Sequence, residues 1–126
     1  MAYVEFSNNP YNRRVGDCAV RAISKALNKS WEDAYIALCA EGLNQADMPS
    51  ANNVWGSVLR KSGFKQELLP NICPDCVTVE QFADEHPEGT FVVATPNHVV
   101  TVEDGTVFDS WNSSDEVALY FYRKEY

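Results

Sequence analysis

The chain of 126 residues has 18 acidic and 10 basic side chains, a formal net charge of −8, and 45% hydrophobic residues. That length makes one domain, residues 1–126, able to bury most of its apolar surface without a metal or disulfide staple. The acidic balance argues against nonspecific binding to nucleic acid or anionic lipid, because counterion release rewards basic surfaces, and no apolar run approaches the ~20 residues of a membrane span.

The start, Met1-Ala2-Tyr3-Val4-Glu5-Phe6, lacks the basic flank and apolar run of a secretory signal, so the expected location is the cytoplasm. A short strand is expected over Tyr3 to Phe6, inside an irregular arm that reaches Pro10. Gly16 and Asp17 supply a turn and a cap before an apolar helix, Ala19 to Leu27, in which Ala19, Ala22, Ile23, Ala26 and Leu27 recur on one face. Cys18 therefore falls in the first turn of a buried helix. There the unpaired N–H groups and the dipole favour thiolate, although a free cysteine is also a common core residue.

Ser30 opens a second helix, with Asp33 at the capping-box position and Trp31, Ala34, Tyr35, Leu38 and Cys39 at helical spacing; this spacing gives Cys39 a core role. After the polar stretch Ala46 to Asn53, a third helix carries Val54, Trp55, Val58 and Leu59, and Gly63 stops it. A short extended piece, Phe64 to Leu69, leads to a loop over Pro70 to Cys76. Thr78 caps a fourth helix with Gln81 in the capping box, and Pro87-Glu88-Gly89 ends it.

Beyond Gly89 the period changes to that of strands. Thr90 to Thr95 and His98 to Glu103 flank Pro96-Asn97, Asp104-Gly105 is a hairpin signal leading to Thr106 to Asp109, and Val117 to Arg123 forms the last strand. The expected fold is α+β: N-terminal helices packed on a C-terminal antiparallel sheet.

A nucleophilic cysteine needs a base, a group that orients the base, and donors for an oxyanion. Of the two histidines, His86 ends the fourth helix, where an imidazolium complements the helix C-terminus. His98 opens an apolar strand. Asp109 lies at the far end of the same hairpin, about five residues from the turn on each side, which sets His98 and Asp109 roughly opposite each other.

These residues resemble the papain-like cysteine peptidases. The likeness rests on Asn12, Asp17-Cys18-Ala19, His98-Val99-Val100 and Asp109-Ser110-Trp111, and it is nearest to small phage and bacterial proteins similar to the peptidases that trim bacteriocin leaders. It implies a papain-like α+β fold with the nucleophile at a helix N-terminus. It also implies Cys18 as nucleophile, His98 as base and acid, Asp109 as the residue orienting His98, Asn12 as a side-chain donor to the oxyanion, and Trp111 as a shield over the His98 to Asp109 hydrogen bond. Asn12 stands where the family usually has Gln, and a turn role is an equal reading of it. Asp17 beside the thiol opposes thiolate formation unless its side chain caps the helix. Arg13 and Arg14 would offset its charge if they pointed inward, but exposed arginines are the expectation.

The implied function is a thiol hydrolase acting on a peptide or protein substrate through an acyl-enzyme, with no cofactor and no metal. Acyl transfer, transglutamination and deamidation use the same residues. Two other readings stay open: a phage-type module that binds a host protein target, and a zinc-stabilised protein built on Cys73 and Cys76 with Cys39 or His86 recruited. Otherwise Cys73-Pro74-Asp75-Cys76 is a pair of free thiols or a local disulfide.

Overall fold

The computed structural model describes residues 2–70 and 72–125. Met1, Asn71 of the Pro70 to Cys76 loop, and Tyr126 lie outside the described residues. In chain order the elements are β1 (Ala2–Glu5), α1 (Cys18–Ala26), α2 (Trp31–Gln45), α3 (Asn52–Lys61), β2 (Phe64–Leu68), β3 (Val77–Thr78), α4 (Val79–Glu85), β4 (Thr90–Thr95), β5 (His98–Glu103), β6 (Thr106–Asp109), β7 (Val117–Ala118) and β8 (Tyr120–Lys124).

The fold is α+β, and the local signals act as their chemistry requires. Ser30 accepts a hydrogen bond from the Asp33 N–H, and Thr78 and Gln81 form a reciprocal capping box at the start of α4. Asp104 and Gly105, with φ of 50° and 75°, turn the hairpin between β5 and β6; two positive φ values are what a tight twisted hairpin needs.

Six strands form one sheet in the order β1-β6-β5-β4-β8-β2. Three departures from the expected helices-then-meander arrangement stand out. The first strand joins the far edge of the sheet, parallel to β6, with Ala2 beside Thr106 and Glu5 beside Asp109. The extended piece after α3 is β2, antiparallel to β8 at the other edge. The last strand divides at Leu119: β7 pairs with β3 in a small second sheet, and β8 runs between β4 and β2.

Side chains alternate across the sheet. Val92, Ala94, Val99 and Tyr122 pack with α1, α2 and α3, whereas Phe91, Val93, Val100, Val102, Val107 and Phe121 pack with Val79, Phe82 and Ala83 of α4. The central strand β4 is therefore apolar on both faces, and helices cover the sheet on both sides. Helix α2 buries Ala34 and Leu38 and turns Tyr35, Ile36 and Leu43 outward. That rotation corrects the expectation for Cys39, which is half-buried and outside the core.

Candidate active site

Helix α1 begins at Cys18 and delivers it to the end of the sheet where β5 starts and β6 finishes. His98 is the first residue of β5 and Asp109 the last of β6. Their register pairs Glu103 with Thr106 and Thr101 with Phe108; one step further, Asp109 falls across from Val100. His98 is thus a diagonal neighbour of Asp109 rather than its direct opposite, still within reach of a long side chain.

His98 Nε2 donates to Asp109 Oδ2 at 2.6 Å. This leaves Nδ1 as the ring nitrogen for the hydrogen bond between His98 and Cys18, and the Val99 N–H also donates to the Cys18 sulfur. As a first-turn residue, Cys18 has a backbone N–H with no acceptor inside the helix. Three groups far apart in sequence therefore form one chain: carboxylate, imidazole, thiol.

Burial alone would raise the Cys18 pKa. The His98 hydrogen bond, the imidazolium charge, the Val99 N–H and the charge of Arg21 outweigh it, and the thiol is held below its ordinary value. For His98 burial works against the cation, but the hydrogen bonds to Asp109 and Cys18 and their charges push its pKa up to about 9. Burial also raises the Asp109 pKa, and it is overcome by the His98 and Ser113 hydrogen bonds and the charges of His98 and Arg21, so the net direction is down. All three shifts favour thiolate, imidazolium and carboxylate together.

Asp109 is fully buried, at 0% exposure, and its oxygens are saturated. Oδ2 accepts from His98 and, at 2.6 Å, from the Ser113 hydroxyl; Oδ1 accepts from the Ser110 N–H at 2.8 Å and from Arg21 Nη2 at 3.0 Å. Arg21, only 6% exposed, also donates through Nη1 to Asp17 Oδ1 at 2.7 Å, and Trp31 Nε1 donates to Asp17 Oδ2 at 3.0 Å. Here the structure corrects the sequence reading. Asp17 is the N-cap residue of α1 but makes no side-chain cap, because its carboxylate is taken by Arg21 and Trp31. The charge beside the thiol is matched by Arg21, while Arg13 and Arg14 are exposed.

Sequence reasoning missed Arg21 and Ser113. A signal for Arg21 was present: a cation four residues after Asp17, with Ala19, Val20, Ala22 and Ile23 around it, the spacing of an ion pair on one helix face. Ser113 carries no such signal.

Trp111 lies against His98, with ring centroids 5.0 Å apart, and is 47% exposed. Asn12 is exposed, has a φ of 53°, and borders a different depression from the one that Cys18 lines. Cys18 and His98 open onto a depression of about 200 Å³ walled by Asn52, Trp55, Thr95 and Asn97.

No family model, curated protein or solved structure matches the chain.

His86 stands apart from this site. Its Nδ1–H donates to the Phe82 carbonyl at 2.7 Å and its ring stacks on Phe82, closing the end of α4. Cys73 and Cys76 form a disulfide, so the thiols that a zinc site would need are joined to each other. Among the described residues, no group of three or more His, Cys, Asp and Glu side chains is arranged to hold a metal, and no helix is long and apolar enough to cross a membrane.

Proposed function

We propose that this chain is a cysteine peptidase-like thiol hydrolase of papain-like fold that cleaves a peptide or related amide in the cytoplasm. The observation that carries the reading is the hydrogen-bonded series Asp109, His98, Cys18 with the sulfur at the start of α1. In this mechanism the Cys18 thiolate attacks the carbonyl carbon, and the oxyanion forms against the free Cys18 N–H. The His98 imidazolium then protonates the leaving nitrogen as the C–N bond breaks, giving a thioester. His98 next takes a proton from water, whose oxygen attacks the thioester, releasing the acid and restoring the thiolate. Asp109 holds the ring orientation and its charge, and Trp111 covers one side of the imidazole.

The oxyanion is assigned here to the Cys18 amide and not to Asn12, which borders the neighbouring depression. Deamidation and acyl transfer pass through the same thioester and differ only in the nucleophile that resolves it or the amine that leaves.

Turnover of a pool of fluorogenic peptide amides tests the proposal. Cys18→Ala and His98→Ala are expected to lower kcat/KM by about 10³-fold or more with the fold intact. Equal rates for wild type and both variants would sink it.

A second reading, a phage-type module that binds a host protein, is favoured by one observation: Ile36 and Leu43 on α2 are 63% and 84% exposed. Under it, Cys18→Ala keeps the full biological effect and Leu43→Glu abolishes it; under the hydrolase reading the outcomes reverse.

A further inference from the structure

The loop between β1 and α1 presents two adjacent arginines whose charge is not paired among the described residues. Arg21 is matched by Asp17 and Asp109, Arg60 donates to the Tyr122 hydroxyl, and Arg123 pairs with Glu67. Among the described residues, the side chains of Arg13 and Arg14 have no such partner. Their backbone is nonetheless held in place: the N–H groups of Tyr11 and Arg13 donate to Asn9 Oδ1, and that of Asn12 donates to the Asn9 carbonyl at 3.0 Å.

Both arginines border a depression of about 150 Å³ that Ser110 and Trp111 also line. Trp111 is the ring that rests on His98, so this depression adjoins the reacting groups. Its lining holds the cations of Arg13, Arg14 and Arg21 against the anions of Glu5 and Asp17, and Asp17 is already engaged by Arg21 and Trp31. Ser7 and Ser110 line the same space. The lining sets three cations against two anions in a chain of net charge −8, and Arg21 is shared with Asp109 as well as Asp17, so the charges left to act on a ligand are those of Arg13 and Arg14 against Glu5. Screening over about 8 Å at physiological ionic strength mutes the distant carboxylates, so an anion in this depression responds mainly to the two guanidiniums, offset in part by Glu5.

We propose that Arg13 and Arg14 form a subsite for a carboxylate close to the scissile amide, making the substrate an acidic peptide. The proposal rests on the hydrolase reading for the word substrate, but the binding it describes is independent of turnover. The carboxylate comes from an Asp or Glu side chain or from a chain end, and both present the same planar group to the arginine fork.

Random octapeptides, made as free acids and as C-terminal amides, are passed over immobilised Cys18→Ala protein and over the same protein with Arg13→Glu and Arg14→Glu. Bound peptides are then sequenced by mass spectrometry at low and at high salt. The expected result is enrichment of Asp and Glu over the input by up to about fivefold per guanidinium engaged, lost at high salt and turned towards Lys and Arg by the charge reversal. Retention confined to the free-acid pool, whatever its Asp and Glu content, assigns the subsite to a chain end; enrichment of Asp and Glu in both pools assigns it to side chains. No retention, retention from both pools with an acid content equal to the input, or retention indifferent to the reversal overturns the subsite. Wild-type protein that cleaves acidic and neutral peptides equally also refutes it and leaves the hydrolase standing. Selective retention without any cleavage refutes the hydrolase and leaves the subsite.

Discussion

Arg21 Nη2 donates to Asp109 Oδ1 at 3.0 Å, joining the helix that carries the thiol to the strand that orients the imidazole. Because the same guanidinium holds Asp17, its removal strands two buried carboxylates at once. Arg21→Met is expected to cost about 3–5 kcal/mol of stability, the range for breaking a buried ion pair from one side. Arg21→Lys, which keeps the charge but loses the fork, is expected to fall between it and wild type. Urea denaturation followed by tryptophan fluorescence measures both, and a loss within error of zero for Arg21→Met would contradict the clamp.

The shifts at Cys18 and His98 predict two different pH profiles. With the thiol pKa lowered, iodoacetamide is expected to modify Cys18 at lower pH than an ordinary thiol of pKa about 8.5 and faster than Cys39. His98→Ala is expected to move that profile up. Amide cleavage also needs the imidazolium as acid, so it is expected to decline as pH rises through about 9 while alkylation continues. Peptide mass spectrometry gives the first profile and initial rates give the second.

Glu41 provides an acid-sensitive brace between α2 and α3. The hydrogen bond from Lys61, then those from Gln45 and Ser57, lower its pKa to about 2. A carboxylate with a depressed folded pKa stabilises above its unfolded value, about 4.3, and loses that contribution as pH falls towards 2. Urea midpoints are expected to drop more steeply across this window in wild type than in Glu41→Gln. Parallel slopes would remove Glu41 from the account of acid unfolding.

The Cys73 to Cys76 disulfide spans a sequence separation of only three in an exposed loop. Closing so short a loop removes little entropy from the unfolded chain. Replacing both cysteines with serine is expected to cost at most about 2 kcal/mol and to leave the Cys18 alkylation profile unchanged. A changed profile would mean that the loop acts on the site.

Much of this arrangement was legible in the sequence because it is local. Ser30, Thr78 with Gln81, and Asp104-Gly105 each act within a few residues, and the hairpin logic brought His98 to Asp109 with an error of one diagonal step. What escaped was non-local or ambiguous in period. The parallel pairing of β1 with β6 depends on which sheet edge is free. The split of the last strand at Leu119 depends on two sheets competing for it. The outward turn of Cys39 depends on how α2 rolls against α1 and α3. Arg21 escaped for a different reason: a charge in an apolar helix reads as surface until the partners that bury it are known.

One consequence concerns timing. Tyr3 and Phe6 both donate to the Asp109 carbonyl, contacts that close separations of more than one hundred residues, whereas His98 and Asp109 are only 11 residues apart. Loop-closure entropy makes the first kind of contact late and the second early. During synthesis Cys18 is made long before His98, and it gains the contacts that lower its pKa only when the last quarter of the chain has folded back onto α1. The order of residues along the chain thus keeps the hydrogen-bonded series of Asp109, His98 and Cys18 from forming in any product that ends before Asp109.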